Sequence, residues 1–200
     1  MKRIFDIALS GTGLFLSSPI WLLIALAIKL DDRGPVFYIP ERVGRNGKNF
    51  RAYKFRSMKV GAHQSLQATE NDPRVTRVGR FLRATALDEL PQLLNIFLGD
   101  MSFVGPRALL PAEMEIHGDE KDEQIVQELF VKRCAVTPGL TGVAQVFAPR
   151  DVPRRKKFRY DLFYIRHKSF WFDLKLIFIS FWITFRGKWE SRENKLGPKK

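Results

Sequence analysis

The feature that most restricts how this chain can fold is the apolar run IFDIALSGTGLFLSSPIWLLIALAI, from Ile4 to Ile28, interrupted in its middle by Ser17, Ser18 and Pro19. Its length approaches the roughly 20 apolar residues that cross a bilayer, so the chain must set it against lipid or bury it. It is too long for the apolar region of a signal peptide, and no A-x-A cleavage pattern follows it. A straight span is opposed by Pro19, which removes a backbone donor and whose ring clashes with the preceding turn. Lys2 and Arg3 precede the run and Lys29 and Arg33 follow it, whereas an orienting charge bias would favour one end. Together these features predict a re-entrant helix-break-helix over residues 1–33, with the break at Ser18 and Pro19. The serine hydroxyls would satisfy the backbone groups that Pro19 leaves unpaired, and both termini would lie on the cytosolic side.

The remainder, 34–200, is expected to form a cytosolic, membrane-associated catalytic domain. With 45% apolar residues and 12% aromatics the chain has ample material for a core. A second apolar stretch, Ser169 to Trp189, contains Asp173 and Lys175 and is dominated by aromatics. Aromatics favour the membrane interface, so a helix over about 169–186 is expected to lie on phospholipid, helped by the basic tail after it. An ordinary core helix is the alternative. The net charge of +13 attracts an anionic partner: nucleic acid, an anionic membrane or a phosphorylated small molecule. Nucleic acid is disfavoured because the aromatics cluster with the apolar segments instead of alternating with arginines on an exposed platform. A single cysteine, Cys134, excludes an internal disulfide, and His63, His117 and His167 have no zinc-ligand spacing.

Between the apolar stretches, PVFYIPERVGRNGKNFRAYKFRSM reads as a β-hairpin: a strand near Val36 to Ile39, a turn at Asn46-Gly47 and a return strand from Phe50 to Phe55. Pro40 places the first strand at an edge. Alternation on the return strand sets Lys54 and Arg56 on one face. Residues 61–72 have few apolar anchors and read as a loop or lid. Arg74, Arg77, Arg80 and Arg83 then recur every three residues, a series that sweeps about half the circumference of a helix. Most of them are explained by a solvated basic face, leaving one or two to touch a substrate.

The stretch TALDELPQLLN, Thr85 to Asn95, places Asp88 beside Glu89 three residues before Pro91. A helix capped at Thr85 would put Pro91 in its interior at a cost of about 3 kcal/mol. The helix must start later, at Leu87 or Asp88, with Pro91 in its first turn, and run to about Phe97 with Gly99 as its stop. An acidic pair there serves either as a cap or at a place where phosphate oxygens meet unpaired amides and nearby arginines.

The segments KRIFD before a Ser-Pro-broken apolar run, YKFRSM, DPRVTRVGRFLRATALDELPQLLNIFLGDMSFVGPR, TPGLTGVAQV and KKFRYDLFYI followed by SFWFDLKL together resemble the monotopic phosphoglycosyl transferases, the bacterial sugar transferase family, in its small catalytic-core form. The resemblance implies an α+β, monotopic membrane fold with a re-entrant helix and interfacial helices, on the cytoplasmic face of the bacterial inner membrane. It implies transfer of a phosphosugar from a UDP-sugar to a polyprenol phosphate, undecaprenyl phosphate by expectation, with release of UMP. Asp88 falls on the nucleophile, which forms a covalent aspartyl phosphosugar, and also on the position that holds Mg2+. Glu89 completes the dyad, and Lys54, Arg83 and Arg107 are placed on the substrate phosphates. A homodimer is a further expectation. Three segments depart from the family pattern: Pro106-Arg107-Ala108 where Pro-Arg-Pro is usual, Thr137 where a basic residue often precedes PGLTG, and Phe147 to Lys157. A glycosyltransferase releasing UDP and a non-enzymatic basic protein of the membrane surface are the competing readings.

Overall fold

The computed structural model describes residues 1–62, 72–111, 120–148 and 152–186. Most of the loop read at 61–72, His63, His117, part of the atypical segment after Phe147 and the basic tail after Arg186 lie outside them. The chain opens with α1 (Lys2–Asp32), followed by short strands β1 (Phe37–Tyr38), β2 (Glu41–Val43), β3 (Asn49–Arg51) and β4 (Lys54–Phe55). Next come α2 (Arg77–Ala84), a 3-10 turn (Leu87–Glu89), α3 (Gln92–Leu98) and β5 (Ser102–Val104). The remainder comprises α4 (Glu120–Arg133), β6 (Gly139–Thr141), α5 (Val143–Phe147), α6 (Arg154–His167) and α7 (Phe170–Phe185). Helices predominate, and the strands form small two-stranded ladders, so the molecule mixes helix and sheet.

The break expected at Ser18 and Pro19 is not present: helix α1 runs without interruption from Lys2 to Asp32, with Pro19 inside it. Pro19 has no amide to give to the carbonyl four residues back, that of Phe15. The Ser18 hydroxyl supplies the missing donor, reaching Phe15 O at 2.8 Å. Ser17 Oγ in turn accepts from Trp21 Nε1 at 3.0 Å. One face of α1, with Asp6, Ser10, Ser17, Ile24 and Ile28, is buried; the other exposes Phe15, Leu16, Leu22, Leu23, Leu26 and Leu30.

Both ends of α1 rest on the same folded body. Near its start, Arg3 donates to Ile96 O at 2.5 Å and to Phe97 O at 2.7 Å. A cation thus receives the open carbonyls of α3, whose final residue is followed by Gly99 at φ 103°. Lys2 joins Asp173 of α7 and Tyr164 of α6, and Asp6 accepts from Phe103 N at 3.2 Å. At the other end, Asp31 accepts from Val78 N at 3.0 Å and Asp32 pairs with Arg56. Trp21, Ile24 and Ile28 pack with Phe55 and Leu82 in one apolar cluster.

The expected hairpin is present as two ladders, β1 with β4 and β2 with β3, both antiparallel. Its turn has positive φ at both Asn46 (57°) and Gly47 (75°), the geometry that matches strand twist in a tight hairpin. Between the two ladders the return strand at Arg51 to Tyr53 bonds to the Asn95 carboxamide of α3. The carboxamide accepts from Tyr53 N at 2.9 Å and donates to Arg51 O at 2.7 Å. Asn95 is fully buried, so every polar atom it carries must find such a partner.

Helix α7 divides its residues by face. Leu176 and Ile183 are fully buried with Val104, Val143, Val146 and Tyr164, while Trp171, Phe178, Phe181 and Phe185 are exposed. The helix therefore serves as a core element on one side and an aromatic surface on the other.

Candidate active site

Helix α2 begins at Thr76, whose hydroxyl accepts from Gly79 N at 2.9 Å. A Cβ on Gly79 would stand 2.0 Å from Ser57 O, so only glycine lets α2 approach the hairpin's exit this closely. After α2 the chain reverses through Ala86, which adopts φ 55° and ψ 17° without being a glycine. Such a conformation costs an alanine about 1–2 kcal/mol and marks the residue just before the acidic turn. Asp88 and Glu89 then occupy the 3-10 turn, and Pro91 adopts helical angles at the threshold of α3. The sequence reading put the helix start at Leu87 or Asp88; the structure instead makes 87–89 a separate 3-10 turn and starts α3 at Gln92 with Pro91 as its N-cap, while the stop at Gly99 is as expected.

Neighbouring residues on such a turn point about 120° apart, so the two carboxylates face different surroundings. Glu89 lines a cleft with Lys54, Arg107, Arg42, Gln92 and the Gly139-Leu140 backbone. Lys54 Nζ meets Glu89 Oε1 at 2.5 Å, and both side chains are largely shielded from solvent. Burial pushes the Glu89 carboxyl up, but Lys54, Arg107 and Arg42 together outweigh burial and hold it below its ordinary range. Asp88 is half-buried on the same turn. Arg83 sits half-buried in the last turn of α2, which packs on the acidic turn, but it does not line the Glu89 cleft.

The structure separates one pair that strand alternation had put together. Lys54 enters the cleft, whereas Arg56 is buried and pairs with Asp32, with Nη1 at 2.5 Å from Oδ2. Arg56 therefore joins α1 to the hairpin. Of the four spaced arginines, Arg77 and Arg80 are exposed and Arg74 pairs with Asp72, consistent with a solvated face. Sequence reasoning missed Arg42, which sits opposite Phe50 in the β2–β3 ladder and whose charge reaches Glu89. The signal available was its place on the first hairpin strand, two residues from Pro40. Asn95 was also missed, for it carries no charge and looks like any polar residue of a short helix.

Among the described residues, no three or more His, Cys, Asp or Glu side chains gather into a metal cage. Glu89 pairs with Lys54, and Asp88 is the second carboxylate of the turn. One carboxylate completed by substrate phosphate oxygens and water is the way Mg2+ is commonly held, and this donor set fits that mode.

The profile of the bacterial sugar transferases matches residues 1–187, and the chain belongs to that family. It is 44% identical over 195 residues to the UDP-glucose:undecaprenyl-phosphate glucose-1-phosphate transferase of Escherichia coli, covering 94% of this chain and 41% of that protein. It is 38% identical to the undecaprenyl-phosphate galactose phosphotransferase of Salmonella typhimurium, over 89% of this chain and 39% of that one. The exopolysaccharide production protein PSS of Rhizobium leguminosarum is 42% identical, with 89% of this chain and 92% of the relative covered. The chain thus spans about two fifths of the two named transferases and nearly all of the third relative.

Proposed function

We propose that this chain is a phosphoglycosyl transferase that moves a phosphosugar from a UDP-sugar to undecaprenyl phosphate and releases UMP. The observation that carries the reading is the cleft in which Lys54, Arg107 and Arg42 surround Glu89, one residue from Asp88. Three cations around a single carboxylate leave an excess of positive charge, suited to the diphosphate of a nucleotide sugar. The transferase names of the similar proteins support the same substrate class.

In this mechanism an Asp88 carboxylate oxygen attacks the sugar-proximal phosphorus. The bond from that phosphorus to the bridging oxygen breaks, and UMP departs with the bonding electrons. The resulting aspartyl phosphosugar is attacked by a phosphate oxygen of undecaprenyl phosphate, which expels the Asp88 carboxylate unchanged. Splitting the displacement this way replaces one difficult step by two easier ones. Lys54, Arg107 and Arg83 bind and orient the phosphates. Glu89 holds Lys54 in place, and its depressed pKa keeps it ionised for that task. Mg2+, when bound by Asp88 and the substrate phosphates, would offset the repulsion between the incoming anions.

The membrane arrangement follows from α1 and α7. Ion pairs and hydrogen bonds tie both ends of α1 to one body, which supports keeping both ends on the cytoplasmic face of the inner membrane. The exposed apolar face of α1 and the aromatic face of α7 would then meet phospholipid.

The test is nucleotide release by the full chain in nanodiscs with Mg2+, undecaprenyl phosphate and a panel of UDP-sugars. UMP production that disappears in Asp88→Asn is the expected result. UDP as the product would mean a glycosyltransferase, and no nucleotide release from any donor would point to the non-enzymatic alternative.

A further inference from the structure

The loop that presents Arg107 is clamped by three donors from three different segments. The carbonyls of Pro106, Arg107 and Ala108 are consecutive, and each accepts a hydrogen bond from outside the loop. Gly139 N donates to Pro106 O at 2.9 Å, Arg133 Nη2 to Arg107 O at 2.6 Å, and Arg42 Nη1 to Ala108 O at 3.1 Å. The Arg107 side chain itself is exposed. Position 108 is alanine, so no ring restricts φ there. These backbone contacts therefore hold the peptide planes on both sides of Arg107.

The middle clamp is built unlike the other two. Arg133, the last residue of α4, is 4% exposed, and Asp161 of α6 is 3% exposed. Arg133 Nε reaches Asp161 Oδ2 at 2.8 Å, and the guanidinium lies 4.8 Å from the centre of the Phe158 ring. Burial pushes the Asp161 carboxyl up, with Arg133 opposing it. A buried pair of this kind gives little stability over apolar residues of equal volume. What it offers is geometry: the planar guanidinium meets a carboxylate with one nitrogen and a carbonyl with another.

We propose that the Arg133–Asp161 pair is a positioning device for substrate binding, which fixes the Arg107 peptide so that its side chain faces the phosphate cleft beside Glu89. Arg133 acts through Arg107 and touches no substrate. The inference rests on the transferase reading given above, as the source of the phosphates that Arg107 would meet.

The experiment compares the full chain with two variants. Arg133→Met/Asp161→Leu removes both charges at similar volume and strands neither. Arg133→Lys keeps a cation for Asp161 but has no planar fork to reach the carbonyl as well. Each is also combined with Arg107→Ala. UMP release gives kcat and KM for the donor, binding of UDP gives a Kd without turnover, and thermal unfolding reports stability. Each variant is expected to raise KM and the UDP Kd by about as much as Arg107→Ala, on the order of tenfold, with no further change when combined with it. Effects that multiply with those of Arg107→Ala, or an unchanged UDP Kd in both variants, would overturn the proposal. Wild-type protein that binds UDP but forms no UMP would overturn the reading of function alone, since the Kd comparison still decides the role of Arg133.

Discussion

Lys54 and Glu89 lie 35 residues apart in the chain and meet at 2.5 Å, joining the return strand of the hairpin to the turn that carries Asp88. Burial alone would raise the Glu89 carboxyl, and Lys54, Arg107 and Arg42 bring it below its ordinary 4.5 instead. A carboxyl depressed in the folded state contributes stability above its unfolded value and loses it as pH falls through the folded value. Wild-type protein should therefore lose melting temperature on acidification below about pH 4.5. Glu89→Gln, which has no proton to gain there, should lose less. Thermal unfolding in detergent across that range checks this, and identical acid sensitivity would remove the ion pair as a source of stability.

The Ser18 hydroxyl stands in for the amide that Pro19 lacks. Ser18→Ala should cost about 0.5–1.5 kcal/mol, the net value of one hydrogen bond. In Ser18→Ala/Pro19→Ala the alanine amide at 19 can reach the Phe15 carbonyl, so the loss should be recovered. Additive losses across this cycle would show that the serine contributes in some other way.

If both ends of α1 share one face of the membrane, a cysteine placed next to Lys2 and one placed at Arg33 should both be shielded from an impermeant maleimide in intact cells. Both should react once the cytoplasmic side is opened. Cys134 is buried and should contribute little background. Labelling of the Lys2 site from outside would mean that α1 crosses the bilayer.

Ala86 carries the positive φ that turns the chain into the acidic pair. Ala86→Val should lose at least about 1 kcal/mol, because a branched side chain tolerates that region poorly. Ala86→Gly should hold stability within about 1 kcal/mol of the original, its relief of strain offset by the greater freedom of the unfolded glycine. Denaturant unfolding of the pair decides the matter, and equal stabilities for Val and Gly would show that the local strain is absorbed elsewhere.

The two faces of α7 should separate membrane binding from folding. Phe178→Glu with Phe185→Glu alters side chains that are 70% and 78% exposed and should abolish binding to anionic vesicles while leaving the melting temperature nearly unchanged. Leu176→Ala, at a fully buried position, should cost about 2–5 kcal/mol and leave vesicle binding of the folded fraction intact. Vesicle binding by the double glutamate variant would show that lipid contact rests on α1 alone.

The amino-acid sequence by itself determined much of the local structure: an apolar first helix, though not its continuity through Ser18 and Pro19, the Asn46-Gly47 hairpin, and the stop of the short helix at Gly99. Each follows from interactions within a few residues, such as a missing amide, a positive φ or an open carbonyl, and these are legible as residue types at short spacing. Tertiary structure alone decided which charges meet. Lys54 and Arg56 share a strand face by alternation, yet one pairs with Glu89 and the other with Asp32; Arg3 closes α3 from the start of the chain, and Arg133 reaches the Arg107 carbonyl. Long basic side chains can reach several acceptors from one backbone position. Which one they take depends on how the packed helices bring distant segments together, and no short-range pattern encodes that.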